Sequence, residues 1–337
     1  MLLCANLLSF LLLLKHIFWY ENMKGEIKMK EYYPEGTLIA GDENKKYLSS
    51  EAFLQQAILN EKILEANVVM CDAEHNLIVD LGVMRGIIPR DEGAIGIREG
   101  TTRDIALISR VGRAVSFIVK EITNDSCGKK QAVLSRRIAQ EKCLDYIIEN
   151  LSIGDIVDAR ITHLESFGAF CDIGCGNVAL LPIDAISVSR ITHPKDRFFV
   201  GDKIKAIIKN IDSENKITLS HKELLGTWQE NAAQFSQGQT VSGVVRSIEN
   251  YGVFVELAPN LAGLAESKEN VAVGQSASVY IKSIIPEKMK IKLIIIDSFD
   301  TPVDNEYKYF FEGEHIEEFV YSPPNSAKQI CTKFCGF

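Results

Sequence analysis

A pattern of five short strands recurs along the chain, and it constrains the fold more than any other feature of the sequence. The clearest copy spans 151–222, where alternating apolar and polar residues are typical of strands and Gly-rich segments are typical of turns. A second copy spans 237–296, and a more divergent copy lies within 50–137. Internal repeats indicate recurring structural units of one architecture, so the sequence predicts three tandem units.

Each copy favours a five-stranded Greek-key barrel, because closing the sheet leaves few strand edges exposed. Polar segments with spaced apolar residues follow the first two copies, at 136–150 and 221–235, and predict helices. The expected fold class is therefore all-β dominated, with three tandem barrels joined by short helical linkers. The last segment, 297–337, does not fit the repeat; its aromatic density indicates that it packs on another part of the chain.

The order of short motifs in 151–222 resembles the S-one type RNA-binding domain. It runs Gly-Asp-x-Val, Phe-Gly-x-Phe, a short apolar strand, Gly-Asp, and an Asp ahead of Lys-Ile-x-Leu-Ser. The similarity is specific for 151–222, good for 237–296 and partial for 62–137. The resemblance implies that the three barrels are OB folds that bind RNA, as in the bacterial small-subunit ribosomal proteins that string several copies together.

Two aromatic pairs match the family's RNA-stacking residues. They are Phe167 with Phe170 in the second unit and Tyr251 with Phe254 in the third. Bases stack on such rings with little regard for sequence, at about 1–3 kcal/mol per base. The alternative is that one ring of each pair belongs to the core. The first unit has no such rings.

Polar and basic residues supply the other candidate RNA contacts. Asp212 and Lys216 match the family's residues around the turn before the last strand, and Lys290 matches in the third unit. Three further residues are candidates for contacts with the RNA backbone: His193 and Arg197 in the long loop of the second unit, and Arg85 in the first unit. The alternative for these residues is a solvated surface charge.

These features favour a non-catalytic protein that binds single-stranded RNA, including mRNA, with low sequence specificity in the cytoplasm. The resemblance adds the 30S ribosomal subunit as a candidate partner. The alternative is an OB-fold adaptor that binds proteins in transcription or RNA turnover. The sequence contains no Walker A, GxGxxG, HExxH or GxSxG motif, so we expect no enzymatic activity and no cofactor.

A net charge of −8 initially argues against an RNA partner. The segment 297–337 carries eight acidic residues against three lysines, which accounts for five of those charges. The three repeats are therefore nearly neutral. We expect modest affinity, with the acidic segment away from RNA.

The first 28 residues form an apolar extension outside the repeat. A positive charge follows the apolar run instead of preceding it, which is atypical of a secretory signal. Two interpretations remain: translation starts at Met23 or Met29, or the segment is a weak membrane anchor. We expect no membrane association unless that apolar run is genuine.

The cysteines indicate no metal site. None of the eight forms a CxxC motif, and the CxxxC pairs, Cys171 with Cys175 and Cys331 with Cys335, lack zinc-ribbon spacing. A zinc site built from the two pairs is the alternative to reduced thiols in a cytosolic protein.

Overall fold

The computed structural model describes residues 32–125, 127–300 and 308–334, and it is built mostly of strands. Three closed five-stranded barrels follow one another along the chain, which confirms the predicted fold class. The apolar extension 1–28 lies outside the described residues, as does Cys335. Within the described ranges no helix has the length and apolar character needed to cross a membrane.

The first barrel has strand order β1-β2-β3-β5-β4, with β3 and β5 parallel. Its core is formed by buried aliphatic side chains and Phe117. The helices around it are short, apart from α4, which matches the predicted linker. The elements are α1 Asp42–Leu48, α2 Glu51–Leu59, β1 Ile63–Cys71, β2 Leu77–Asp80, β3 Arg85–Ile88, α3 Ile105–Ile108, β4 Ala114–Asn124, β5 Lys130–Ser135 and α4 Arg136–Asn150.

The second and third barrels repeat this topology, each with its third and fifth strands parallel. The second barrel comprises β6 Ile156–Glu165, β7 Gly168–Asp172, β8 Val178–Pro182, β9 Lys203–Ile211 and β10 Ile217–Ser220. The third comprises β11 Thr240–Glu249, β12 Gly252–Ala258, β13 Leu261–Ala265, β14 Ser276–Ile285 and β15 Lys290–Phe299.

The predicted helix over 221–235 is wrong in its extent. The segment forms a 3-10 turn at Lys222–Leu225 and then the short helix α5, Trp228–Ala232. Gly226 separates them at a φ of 83°, where a Cβ would lie 2.6 Å from the Phe310 ring. Thr227 then caps α5 by accepting a hydrogen bond from the Glu230 amide. The left-handed residue and the new cap prevent one continuous helix.

The chain divides into two compact units. The first runs to Leu151 and includes the turn Asp172–Asn177, and the second comprises Ser152–Cys171 and the residues from Val178 onward. The second and third barrels thus belong to one unit.

The first unit contains a buried network of charged groups. Arg136 donates two hydrogen bonds to the Glu35 carboxylate, at 2.7 and 3.1 Å. Glu65 accepts hydrogen bonds from the amides of Gly36, Leu38 and Ile39 at 2.8–3.1 Å. Burial raises the pKa of Glu65 to about 7, because removing the carboxylate from water outweighs these hydrogen bonds.

In the second unit, the C-terminal segment packs against both barrels, as its aromatic content predicted. The Ile316 amide donates to the Gly154 carbonyl of the second barrel at 2.9 Å. The Tyr321 hydroxyl donates to the Asn260 carbonyl of the third at 2.6 Å. The segment ends in a two-stranded sheet of β16 Glu318–Val320 and β17 Cys331–Lys333.

Candidate nucleic-acid interface

The second barrel presents an aromatic pair at the start of β7. Phe167 is 54% exposed, Phe170 is half-buried, and their ring centroids lie 5.9 Å apart at an interplanar angle of 87°. Gly168 lies between them, and a Cβ there would sit 2.6 Å from the Leu181 carbonyl oxygen. Glycine therefore lets β8 approach closely while both flanking rings remain accessible.

The third barrel reproduces this geometry. Tyr251 is 69% exposed, and its ring lies 6.1 Å from that of the half-buried Phe254 at 88°. Gly252 separates the two rings, and its absent Cβ would lie 2.3 Å from the Ala265 carbonyl oxygen. The two barrels thus offer matching edge-to-face pairs, each with one ring that is more than half exposed.

A third ring extends the pair in the second barrel. His163 on β6 stacks on Phe170, with centroids 6.3 Å apart and an interplanar angle of 26°. Its Nε2 lies 2.6 Å from a Glu165 carboxylate oxygen. Local sequence patterns do not reveal this residue as part of the site, because only strand pairing brings β6 beside β7. The sequence gives one indication of its place: His163 stands as far ahead of the second unit's aromatic pair as Ser247 stands ahead of Tyr251 in the third unit.

Outward side chains form a row across the third barrel, which we call the outer row. Neighbouring strands pair Ser247 with Phe254, Phe254 with Leu264, and Leu264 with Lys292. Directly paired side chains lie about 5 Å apart at their Cβ atoms. Lys292 is exposed, so the row carries a cation that the sequence analysis also missed. The predicted Lys290 is exposed too, but it pairs with Ile285 at the end of β15.

In the turn before β10, the aspartate has a structural role. Asp212 Oδ1 accepts hydrogen bonds from the backbone amides of Glu214 and Lys216, at 2.8 and 2.9 Å. Asp125 holds the equivalent turn of the first barrel in the same way, through two amides. The Lys216 ammonium lies 2.5 Å from the Glu214 carboxylate, which raises the lysine pKa. Lys216 is exposed and can reach a phosphate from this turn.

Arg197 does not fit its predicted role as a surface phosphate contact. Its side chain is only 1% exposed, and its guanidinium donates to both Glu256 carboxylate oxygens at 2.6 and 2.5 Å. Arg246 donates to the same carboxylate at 2.9 Å. A buried guanidinium needs such a partner, because desolvating an unpaired charge is expensive. Arg197 therefore joins the second barrel's loop to β12 of the third.

The last two candidates differ in setting. His193 caps the 3-10 helix Pro194–Asp196, and its Nδ1 accepts the Lys195 amide at 3.1 Å. Its ring is half-buried. Arg85 is exposed at the start of β3, directly across from Asp80 on β2.

Nothing in the described ranges forms a metal centre, since no three His, Cys, Asp or Glu side chains there are grouped to hold an ion. Cys171 is buried and Cys331 is exposed, and neither forms a disulfide bond within the described ranges.

Comparisons with known proteins agree with this architecture. Residues 150–222 match the family model of the S1 RNA binding domain, which is the S-one type domain of the sequence analysis. The chain is 27% identical over 311 residues to small ribosomal subunit protein bS1 of Staphylococcus aureus, covering 90% of this chain and 75% of the relative. It is equally identical over 287 residues to bS1 of Staphylococcus haemolyticus, covering 80% and 70%.

Among solved structures, a multidomain protein with nucleic acid binding domains from Streptococcus pneumoniae aligns with 70% of this chain and 74% of its own. The identity is 14% and the TM-score 0.24. The second barrel thus matches the S1 RNA binding domain, and the chain as a whole, with its three barrels, is similar to bacterial ribosomal protein bS1.

Proposed function

We propose that this protein binds single-stranded RNA with low sequence specificity through the aromatic pairs of its second and third barrels. The observation that carries the proposal is the repetition of one geometry: two edge-to-face pairs on equivalent strands, each with one exposed and one half-buried ring. Exposed rings provide stacking surfaces that any base can use. The S1 RNA binding domain match and the similarity to bS1 support the same function.

The setting we propose is translation in the cytoplasm, with mRNA as ligand, the small ribosomal subunit as partner and no catalysis. Exposed lysines of the two barrels would contact phosphates, among them Lys216, Lys290 and Lys292. Affinity should fall as salt rises, because each phosphate contact releases a bound counterion.

Replacing Phe167, Phe170, Tyr251 and Phe254 together with alanine tests the proposal. We expect an unstructured RNA to bind at least tenfold more weakly, since each lost stacking contact is worth about 1–3 kcal/mol. Fluorescence anisotropy measures the affinity. Tyr280→Ala is the matched control, because Tyr280 is a partly exposed aromatic residue on β14 of the third barrel. Wild-type affinity in the fourfold variant would refute stacking.

A second candidate function is protein binding by the first barrel. Five exposed apolar side chains lie on β1 and on the segment that precedes β4, and backbone hydrogen bonds of Val68 with Gly112 and Arg113 join these two parts of the chain. They are Val69, Met70, Ile105, Ile108 and Val111. Cross-linking in cells distinguishes the two functions: recovery of RNA supports the first, and recovery of protein alone supports the second.

A further inference from the structure

The second and third barrels have the same fold and the same aromatic pair, but their outward neighbours differ in chemistry. In the third barrel the outer row begins with Ser247 and ends with the exposed Lys292. In the second barrel the corresponding first position is His163, whose ring stacks on Phe170. One barrel therefore has an extra ring where the other has a hydroxyl.

The far end of the row differs in the opposite sense. Leu180 pairs with Thr218 across the parallel strands β8 and β10, as Leu264 pairs with Lys292 across β13 and β15. Thr218 pairs in turn with Asn210, so this end of the second barrel's row carries no charge. The third barrel thus has a cation where the second has a neutral hydroxyl.

We infer that the two barrels bind RNA by different means: besides the lysine contacts at Lys216 and Lys290, the second adds stacking on His163 and the third adds a phosphate contact from Lys292. His163 and Lys292 are the residues that set this difference. The inference rests on the proposed RNA binding and deepens it, because it assigns each site its own dependence on salt.

The physical basis is the different response of the two interactions to ions. Stacking on neutral rings involves no phosphate neutralisation, so it depends little on salt. A lysine that neutralises one phosphate of a single strand adds about 0.7 to the slope of log affinity against log salt concentration. The third barrel should therefore have the steeper slope, by about that amount.

The test uses the full chain with one site removed at a time. Phe167→Ala with Phe170→Ala leaves the third barrel, Tyr251→Ala with Phe254→Ala leaves the second, and all four changes together give the background. An oligouridylate is titrated at several salt concentrations. We expect the chain that retains the third barrel to lose affinity more steeply as salt rises.

Exchanging the two residues between barrels provides matched controls. His163→Ser should weaken the second site about tenfold, within the range for one stacking contact, and Ser247→His should strengthen the third site. Lys292→Thr should lower the salt slope of the third site by about 0.7, and Thr218→Lys should raise that of the second by a similar amount. All four positions are on the barrel surface or at its edge, and circular dichroism verifies folding.

The outcomes separate this inference from the function on which it rests. Equal salt slopes at two working sites, with exchanges that change nothing, overturn the inference and leave RNA binding intact. If neither single-site chain binds RNA above the fourfold-variant background, both the inference and the proposed function fail. A change in slope with Lys292 but no loss with His163→Ser refutes the stacking role of the histidine.

Discussion

At the residue scale, single buried ionisable groups decide how this protein responds to pH. Glu65 lies in the first unit with one oxygen facing three backbone amides and the other 3.1 Å from the Ser116 hydroxyl. Burial raises its pKa from an ordinary 4.5 to about 7. The folded state therefore holds a proton more tightly than the unfolded chain does.

This pKa predicts that the first unit loses stability as the pH rises. The contribution of Glu65 is fully present below pH 4.5 and disappears as the pH passes 7. The difference between the folded and unfolded pKa of Glu65 corresponds to about 3 kcal/mol in the free energy of unfolding. Glu65→Gln should reduce this dependence, because the amide keeps an acceptor for the backbone and a donor for Ser116. The remainder should come from Asp172 of the same unit, whose pKa is also raised by burial. Hydrogen exchange of first-unit peptides, corrected for intrinsic rates, measures it.

The exposed Glu99→Gln variant is the control and should keep the wild-type pH dependence. An identical pH dependence in Glu65→Gln and wild type would show that other groups control the response.

At the element scale, close strand approach and paired charges position the candidate site. Gly168 lets β8 come within contact distance of β7 in the second barrel, and Gly252 does the same for β13 and β12 in the third. The rings that flank each glycine remain on the outside. The loop before β9 is joined to β12 by the buried pair of Arg197 and Glu256, where Arg246 adds a second cation. The two aromatic pairs are thus carried by barrels that are directly connected.

Breaking this pair should destabilise the second unit strongly. Arg197→Ala leaves a buried carboxylate with only Arg246, so we expect a loss of about 3–5 kcal/mol in the free energy of unfolding. Combining it with Glu256→Leu should cost less than the sum of the single changes, because the double variant leaves only Arg246 without the Glu256 carboxylate, and Arg246 still lies 3.9 Å from Asp196. Urea unfolding measures the cycle. Arg190→Ala, an exposed arginine in the same loop, should be nearly neutral, and strict additivity would contradict the coupling.

At the scale of the whole molecule, the C-terminal segment adds a second pH response to the chain. His221 is fully buried in the second unit, where Nδ1 lies 3.1 Å from the Ile186 carbonyl and Nε2 lies 3.3 Å from the Tyr309 hydroxyl. Burial lowers the pKa of His221 to about 4, and the positive charge of Arg197 adds to the effect. The two units therefore depend on pH in opposite directions.

The second unit should lose stability as the pH falls from 6.5 towards 4. In that window the unfolded chain takes up a proton at His221 and the folded chain does not, which amounts to about 3 kcal/mol at the lower end. When the pH is lowered from 8 to 5, hydrogen exchange should show that the first unit gains protection and the second unit loses it. His221→Gln should flatten only the response of the second unit. Unchanged loss in that variant would exclude His221 as the cause.

The sequence by itself determined the repeat, the barrel topology and the two aromatic pairs. Each follows from local signals, namely strand alternation, turn glycines and short motifs, which the chain carries within a few residues. The same local reasoning failed at 221–235, because Gly226 is required by the approach of Phe310, a residue far along the chain.

Only the tertiary structure decided which side chains surround those pairs. His163 and Lys292 join the rings through strand pairing, and Arg197 leaves the surface because Glu256 of another barrel is its partner. These outcomes depend on contacts between residues distant in sequence, and on the cost of burying a charge without a partner, neither of which a local pattern encodes. Sequence patterns predicted the candidate face, and long-range packing selected the residues that surround it.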